Sequence, residues 1–456
     1  MADPRDRLEA WLTEPVQPML PRPGAFDRVS REARRRRTRR MVLSVAGAAA
    51  AAAVAAVVIP QVAIPALTGG ASTPVSAAHG SSAPGPTAVG TSAAPTPTRT
   101  RPPAAVAGPV PPPLSATFVG TFTGWVLGQN LPAGQCDSAA APPCLVLART
   151  DTRGASWRPV GAPPAHGPDG ATGVSQVRFL NRSDGWAFGP QLWATHDSGH
   201  SWTQIATGGM RVTALETRGT RVFAVWARCT GTGPRFAAHC TGFTLYTSPA
   251  GRDQWQPVPG AAAGSGLAGG SAALLLTGSA AYLLVPDGHL LSGPPTGAAW
   301  PAARPAGPAS TPCRPGAPQA GGQPSGALLS VNGTASLVLL CTGPSGGGPA
   351  GTVYSSGDGG RSWQRTGTAP TAGTATSLSG SLSGRLLLAT GQGIETSADG
   401  GASWALAGGS RPPGGFAGVG MTTASQGFAI PADPGQHALW FTYDGGQSWA
   451  ASPVSG

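Results

Sequence analysis

Apolar and polar positions alternate in short bursts between residues 115 and 456, and the bursts recur. "VRFLNRSDGWAFG" (177–189) reads as an apolar strand, a polar turn, then a Gly–aromatic pair opening a second strand. "ATFVGTFTGWVLG" (116–128) and "GVGMTTASQGFAI" (418–430) repeat that order. A third apolar run follows, as in "LWATHD" (192–197) or "GTVYSS" (351–356), then a tight polar turn and a fourth run. Runs this short, punctuated by Gly and polar residues, predict strands joined as hairpins.

The turn before the fourth run has a fixed frame. "THDSGHSW" ends at Trp202, "SSGDGGRSW" at Trp363, "TSADGGASW" at Trp404 and "TYDGGQSW" at Trp449. Three further copies keep the Trp but not the Asp: "TDTRGASW" has Thr152 in that slot before Trp157, "SPAGRDQW" has Ala250 before Trp255, and "GPPTGAAW" has Pro295 before Trp300. Successive Trp are 45, 53, 45, 63, 41 and 45 residues apart. A period of about 45 residues with four short strands per repeat predicts a β-propeller. The expected fold is therefore all-β: seven four-stranded antiparallel blades over 115–456, each from one contiguous segment, without strand exchange at closure.

The turn chemistry explains the frame. An Asp carboxylate accepts N–H bonds inside its own hairpin, and the Ser or Thr two residues earlier ties to it. Gly supplies a backbone conformation that a side chain disfavours. These tasks make Asp197, Asp358, Asp399 and Asp444 structural, with Trp157, Trp202, Trp255, Trp300, Trp363, Trp404 and Trp449 covering the sheet and packing towards the next blade.

This frame resembles the Asp-box, or BNR repeat, of sialidases, several glycosidases, sortilin-type receptor ectodomains and photosystem II assembly-factor propellers. The "DGWAFG" segment followed by the Asp turn looks most like the seven-bladed assembly-factor type. A catalytic sialidase would add a Phe/Tyr-Arg-Ile-Pro stretch, three Arg for the substrate carboxylate, a Tyr–Glu pair and an Asp acid/base. The chain has no such stretch; its four Tyr are 246, 282, 354 and 443, and Glu216 and Glu395 are the Glu beyond the linker. The resemblance therefore implies a recognition, scaffold or assembly module. The alternative is an exo-acting, sialidase-like glycoside hydrolase on surface glycans.

Charge places the propeller outside the cell. The formal net charge is +11, every base is Arg, and eleven of the 30 Arg lie in the first 40 residues. "REARRRRTRR" is followed at once by the uncharged "MVLSVAGAAAAAAVAAVVI" (41–59). Such a stretch as a helix covers about 28 Å, near the hydrocarbon thickness of a bilayer. The Arg flank holds the N-terminus inside. Residues 1–40 are read as a cytoplasmic segment, 41–67 as a membrane anchor and 68–114 as a Pro/Ala/Ser/Thr-rich linker. "TRRMVLS" also resembles a twin-arginine signal, so secretion after cleavage is the alternative. At about 3.1 Å per residue in polyproline form, the linker reaches on the order of 140 Å. The basic charge is thus topological, and nucleic acid is not an expected partner.

The six Cys fall at 136, 144, 229, 240, 313 and 341, all beyond the linker. Their spacing predicts Cys136–Cys144, Cys229–Cys240 and Cys313–Cys341 disulfides, although six Cys allow 15 pairings. The spacing does not suit zinc, and no metal or cofactor is expected. His196 and His200 flank Asp197 and are read as exposed turn residues. Loops after the second and fourth strands share the face opposite the motif turns. Acids expected there are Asp137, Asp169, Asp287 and Asp433, the candidates for catalysis if the chain hydrolyses glycosides; turn chemistry is the competing role for each. Arg228, Arg235 and Arg314, near the disulfides, form a candidate ligand patch for a wall glycan or protein. A monomer is expected.

Overall fold

A computed structural model describes residues 99–100, 112–130, 135–136, 144–167, 172–230, 239–264, 272–301, 311–313, 327–333, 336–342, 351–370, 374–381 and 383–454. The expected cytoplasmic segment, anchor and most of the linker lie outside the described residues, as do Asp137, Asp169, Arg235 and Arg314. No helix among the described residues is long and apolar enough to cross a membrane.

Seven antiparallel sheets follow one another along the chain, each built in sequence order, and together they form a seven-bladed β-propeller. Blade 1 holds Pro113–Val119, Thr123–Gln129, Leu145–Thr150 and Arg158–Val160; blade 2 holds Gln176–Phe179, Gly185–Phe188, Leu192–Thr195 and Trp202–Gln204. Blade 3 runs from Arg211–Arg218 to Gln256–Ala263, blade 5 from Ala327–Asn332 to Gln364–Ala369, and blade 6 from Ala375–Gly380 to Ala405–Leu406. Blade 7 comprises Phe416–Met421, Gly427–Pro431, Ala438–Thr442 and Ser448–Pro453. First strands of neighbouring blades lie against one another, so they surround the centre of the ring.

Three blades depart from four strands. Blade 4 shows three, Ala273–Leu276, Ala281–Leu284 and Leu290–Gly293, and the segment after its Trp300 is largely outside the described residues. Arg99–Thr100, from the expected linker, adds an antiparallel fifth strand beside Trp202–Thr203 at the edge of blade 2. Gly408–Gly409 runs parallel to Ser448–Trp449 at the edge of blade 7. Each addition satisfies backbone groups that an edge strand otherwise leaves open.

The Gly–aromatic signature has a steric cause. Phe118 pairs across the strands with Gly124, Phe179 with Gly185, and Met421 with Gly427. A Cβ on these glycines would lie 2.4 Å from the Phe118 ring, 2.4 Å from the Phe179 ring and 2.5 Å from the Met421 sulfur. The large side chain of the first strand thus lies over the bare backbone of the second.

The apolar core is divided into layers between blades. Trp202 is packed with Leu147 and Val160 of blade 1, Trp300 with Phe223 and Val258 of blade 3, and Trp449 with Leu387 and Ala389 of blade 6. Trp157 of blade 1 lies with Leu439 and Phe441 of blade 7. The motif Trp therefore docks on the preceding blade, which corrects the expectation that it faces the next one. The fourth strand's opening residue points to that side because the fifth residue of the motif, a Gly, is already pressed against it. At Gly401 a Cβ would stand 2.6 Å from Val353 Cγ1 in blade 5; at Gly446, 2.3 Å from Leu387 Cδ2 in blade 6; at Gly360, 2.4 Å from Leu290 Cδ2 in blade 4.

The ring closes with the same contact. Gly154 of blade 1 meets Phe441 of blade 7, whose Cζ would be 2.4 Å from an added Cβ. The Gln426 amide donates to the Thr121 carbonyl at 2.9 Å, and the Ser452 hydroxyl to the Gly154 carbonyl at 2.8 Å. Phe118, Trp157, Phe428 and Phe441 fill the seam, with Phe118–Phe428 centroids 5.1 Å apart. Both closing blades are contiguous segments.

These contacts predict a graded response to Gly→Ala substitution. Gly401 combines φ +95° with the clash against buried Val353, while Gly219 has φ +59° and nothing within 4 Å. Gly219→Ala is expected to cost about 1 kcal/mol from backbone strain, and Gly401→Ala roughly 2–4 kcal/mol because strain and overpacking add. Urea denaturation of both variants measures the difference; equal losses would show that the seam yields freely.

Candidate functional site

The four Asp turns share one geometry. Asp358 Oδ1 accepts the Ser356 hydroxyl at 2.8 Å and the Ser362 amide at 3.0 Å, and Oδ2 accepts the Ser362 hydroxyl at 2.6 Å. Asp197, Asp399 and Asp444 repeat it with Thr195 and Ser201, Ser397 and Ser403, and Thr442 and Ser448. The same Ser or Thr then accepts the amide of the seam glycine, for example Gly401 at 2.8 Å. These donors, the Ser362 and Ser403 hydroxyls foremost, hold the Asp358 and Asp399 carboxyls well below the usual range. They stay ionised through ordinary pH and have no proton to give.

Blade 1 shows what replaces the carboxylate. The Thr152 hydroxyl accepts the Ser156 amide at 2.9 Å and exchanges a bond with the Ser156 hydroxyl at 2.9 Å, while Thr150 accepts the Gly154 amide at 3.0 Å. One hydroxyl thus performs most of the Asp's work. The indoles register the difference. Trp202, Trp404 and Trp449 donate to the Gly161, Gly401 and Gly446 carbonyls. Trp157, Trp255 and Trp300, in the copies lacking Asp, bury N–H groups that have no acceptor among the described residues.

The loop-face acids that are described serve their own turns. Asp287, in the turn after the second strand of blade 4, accepts the His289 amide at 3.0 Å and faces the His289 ring at 3.1 Å. Asp433, at the equivalent place in blade 7, accepts the Gly435 amide at 2.8 Å and the Gln436 amide group at 3.1 Å. The Gly435 bond, then Gln436, holds its carboxyl below the ordinary value. Arg228 is exposed in the second strand of blade 3 beside Cys229, which is bonded to Cys240; Cys136–Cys144 and Cys313–Cys341 are the other two bridges. No group of three or more His, Cys, Asp or Glu suited to a metal occurs among the described residues.

Two clusters escaped the sequence reading. His196 is not an exposed turn residue. It bridges blades 2 and 3, with Nδ1 2.8 Å from Asp184 Oδ1 and Nε2 2.8 Å from Asp253 Oδ2, and its side chain is 29 % exposed. Asn181 also donates to Asp184, and Trp186 to Asp253. The hydrogen bond to Asp253 is the main cause that raises the His196 pKa above 6.5, against a smaller opposing effect of burial. His200, by contrast, is exposed, and its ring contacts the Asp197 carbonyl. Glu395, in the third strand of blade 6, is only 5 % exposed. It sits opposite Leu388 and Leu406 in the sheet, and Leu388 belongs to the layer against blade 5. Burial pushes its carboxyl above 4.5, and Arg411 only partly offsets this.

No family model matches the sequence, and no curated protein sequence matches it. Among solved structures, the chain is similar to YCF48 bound to D1 peptide, at 16 % identity and a TM-score of 0.44, over 76 % of this chain and 96 % of that one. It is similar to YCF48 from Cyanidioschyzon merolae at 14 % identity and a TM-score of 0.39, over 61 % of this chain and 85 % of that one. A GH74 xyloglucanase from Xanthomonas campestris aligns at 13 % identity and a TM-score of 0.26, over 75 % of this chain and 73 % of that one.

Both clusters predict pH dependence. His196 has a folded pKa above its unfolded value, so its stabilisation is complete below about pH 6.5 and is lost as pH rises through the folded pKa. His196→Gln should cost about 1–2 kcal/mol at pH 5.5 and less at pH 9; a pH-independent loss in urea titrations would refute the bridge. Glu395 gives the same sign of pH dependence from a different cause, a penalty on its charged form, so the substitution acts the other way. Its folded pKa is raised, so ionisation destabilises the fold at neutral pH. Glu395→Gln should raise the melting temperature at pH 7, and the gain should vanish as pH falls below about 4.5.

Proposed function

We propose that this propeller is a recognition or assembly module displayed on the outer surface of a cell membrane, acting as a monomer and without catalysis. The observation that carries the reading is how its acids are used. Hydrolysis of a glycosidic bond takes two carboxyl groups free to face substrate, one of them protonated as the acid. Among the described residues, Asp197, Asp358, Asp399 and Asp444 cap motif turns, and Asp287 and Asp433 cap loop turns. Asp151 and Glu216 pair with Arg149 and Arg178, and Asp184 and Asp253 hold His196. Glu395, whose pKa is raised, is buried between two blades. None of these is placed to attack or protonate a bound sugar.

The sequence supports the location: the Arg-rich residues 1–40 precede the apolar 41–67, and six Cys follow. The three bridges suit an oxidising compartment. The linker then acts as a spacer between bilayer and propeller.

The purified chain should release no product from a panel of chromogenic glycosides and wall glycans. Turnover that disappears on Asp137→Asn or Asp169→Asn substitution would establish a hydrolase and end this reading.

A further inference from the structure

Solvent-facing turn positions on the motif-turn face carry small residues in several blades, and the seam between blades 7 and 1 carries large ones at three such places. The residue after the Asp slot is left-handed: Ser198, Gly359, Gly400 and Gly445 have φ of 68°, 76°, 73° and 76°. In blade 1 that place is taken by Arg153, at φ +62°. A left-handed Arg costs roughly 1–2 kcal/mol that Gly would not. The residue before the Asp is Gly357 in blade 5, Ala398 in blade 6 and the bridged His196 in blade 2, but an exposed Tyr443 in blade 7. The residue two before the Gly–aromatic pair is Ser183 in blade 2 and Ser425 in blade 7, but Phe122 in blade 1.

These three side chains are brought together. The Arg153 amide donates to the Phe122 carbonyl at 3.0 Å, and the Tyr443 hydroxyl donates to the Arg153 carbonyl at 3.1 Å. The Arg153 guanidinium lies 4.3 Å from the centre of the Phe122 ring. Tyr443 stacks on buried Phe441 with a 12° interplanar angle. Phe122 and Tyr443 are nonetheless 52 % and 55 % exposed, and Leu406 is the remaining exposed large apolar side chain among the described residues. The guanidinium has no ion pair among the described residues, because the nearby Asp151 is taken by Arg149 and Thr123, and Asp444 by its own turn. A left-handed Arg, two exposed rings and a cation with no carboxylate among the described residues coincide at one seam.

We infer that Phe122, Arg153 and Tyr443 form a docking site for an acidic peptide segment of a protein partner, in which a carboxylate meets Arg153 and a neighbouring apolar side chain lies on the two rings. The inference rests on the recognition reading and places recognition on the motif-turn face. The contact with Phe122 restricts the guanidinium, so that its donors meet a carboxylate with less further loss of freedom. The Tyr443 hydroxyl and the carbonyls of Phe122 and Arg153 are already engaged. The patch therefore offers ring surface and one cation but few groups for a polyhydroxylated sugar, which favours a peptide over a glycan.

The test uses the full chain in mild detergent and a fluorescently labelled random copolymer of Glu and Tyr. Arg153→Gly suits the left-handed backbone, so it should keep or raise the melting temperature while weakening copolymer binding at least about tenfold. Arg252→Ala removes the same charge from an exposed motif turn of blade 3 and should leave binding unchanged. Phe122→Ser and Tyr443→Ala, which install residues that other blades carry, should each weaken it. A Lys–Tyr copolymer should not bind. Equal weakening by Arg252→Ala, unchanged affinity in Arg153→Gly, or no binding to any copolymer overturns the site. Tighter binding of polygalacturonate, abolished by Arg153→Gly, would make the ligand a glycan and equally overturn it. The first two results leave the recognition reading standing, whereas glycoside turnover by the same preparation would remove that reading itself.

Discussion

The structure depends on one close approach: the bare backbone of a motif glycine against an apolar side chain of the preceding blade. Five such glycines, at 154, 199, 360, 401 and 446, hold φ between 87° and 95°. Their neighbours are Phe441, Leu147, Leu290, Val353 and Leu387. A left-handed glycine turns the chain sharply enough for the next Trp to fall into the same interblade layer. The Ser or Thr that accepts the glycine amide fixes the turn from below, and the Asp fixes that hydroxyl and the far side of the turn. Each element of the repeat exists to hold the glycine flat against its neighbour.

This dependence explains which losses the repeat tolerates. The Asp acts at one remove from the seam, so a Thr hydroxyl can stand in for it in blade 1, and Ala250 or Pro295 can occupy the slot elsewhere. Trp is retained in all seven copies because it fills the layer itself. Truncating a side chain of that size in a core costs about 3–5 kcal/mol. The weakened copies leave a trace, for the indole N–H groups of Trp157, Trp255 and Trp300 are buried without acceptors among the described residues. A buried donor without a partner costs about 1–3 kcal/mol, and the seams of blades 1, 3 and 4 are expected to be the softer ones.

The repeat was legible in the sequence because its causes are local. Hairpin alternation, Gly–aromatic pairing and the Asp turn each lie within a dozen residues, so spacing alone exposes them. The direction in which Trp docks was not legible, since it depends on which neighbouring sheet the turn presses, a property of the assembled ring. The bridge at His196 was hidden for a similar reason: Asp253 is 57 residues away, in a copy of the motif that has lost its own Asp. Glu395 gave no sign, because a single acid in "GIETS" reads equally as an exposed strand position. The seam patch did leave a signal. Aligning the copies by their Trp and by their Gly–aromatic pair sets Arg153, Tyr443 and Phe122 against Gly, Ala and Ser, a departure that the turn chemistry itself does not require.

A repeat fold also divides its charges by role. The Asp carboxylates meet hydroxyl and amide donors within their turns, so their charge is compensated locally. The bases, all Arg, are bound by no such frame. The field that any partner would meet is therefore set largely by guanidinium groups. Arg149 lies 5.2 Å from the Trp125 ring centre but is spent on Asp151. Arg153, placed over Phe122 and free of carboxylates among the described residues, is steered by that ring and remains available. Rigidity without a partner is the condition under which an ion pair adds affinity on binding, because the ordering cost has already been met by folding.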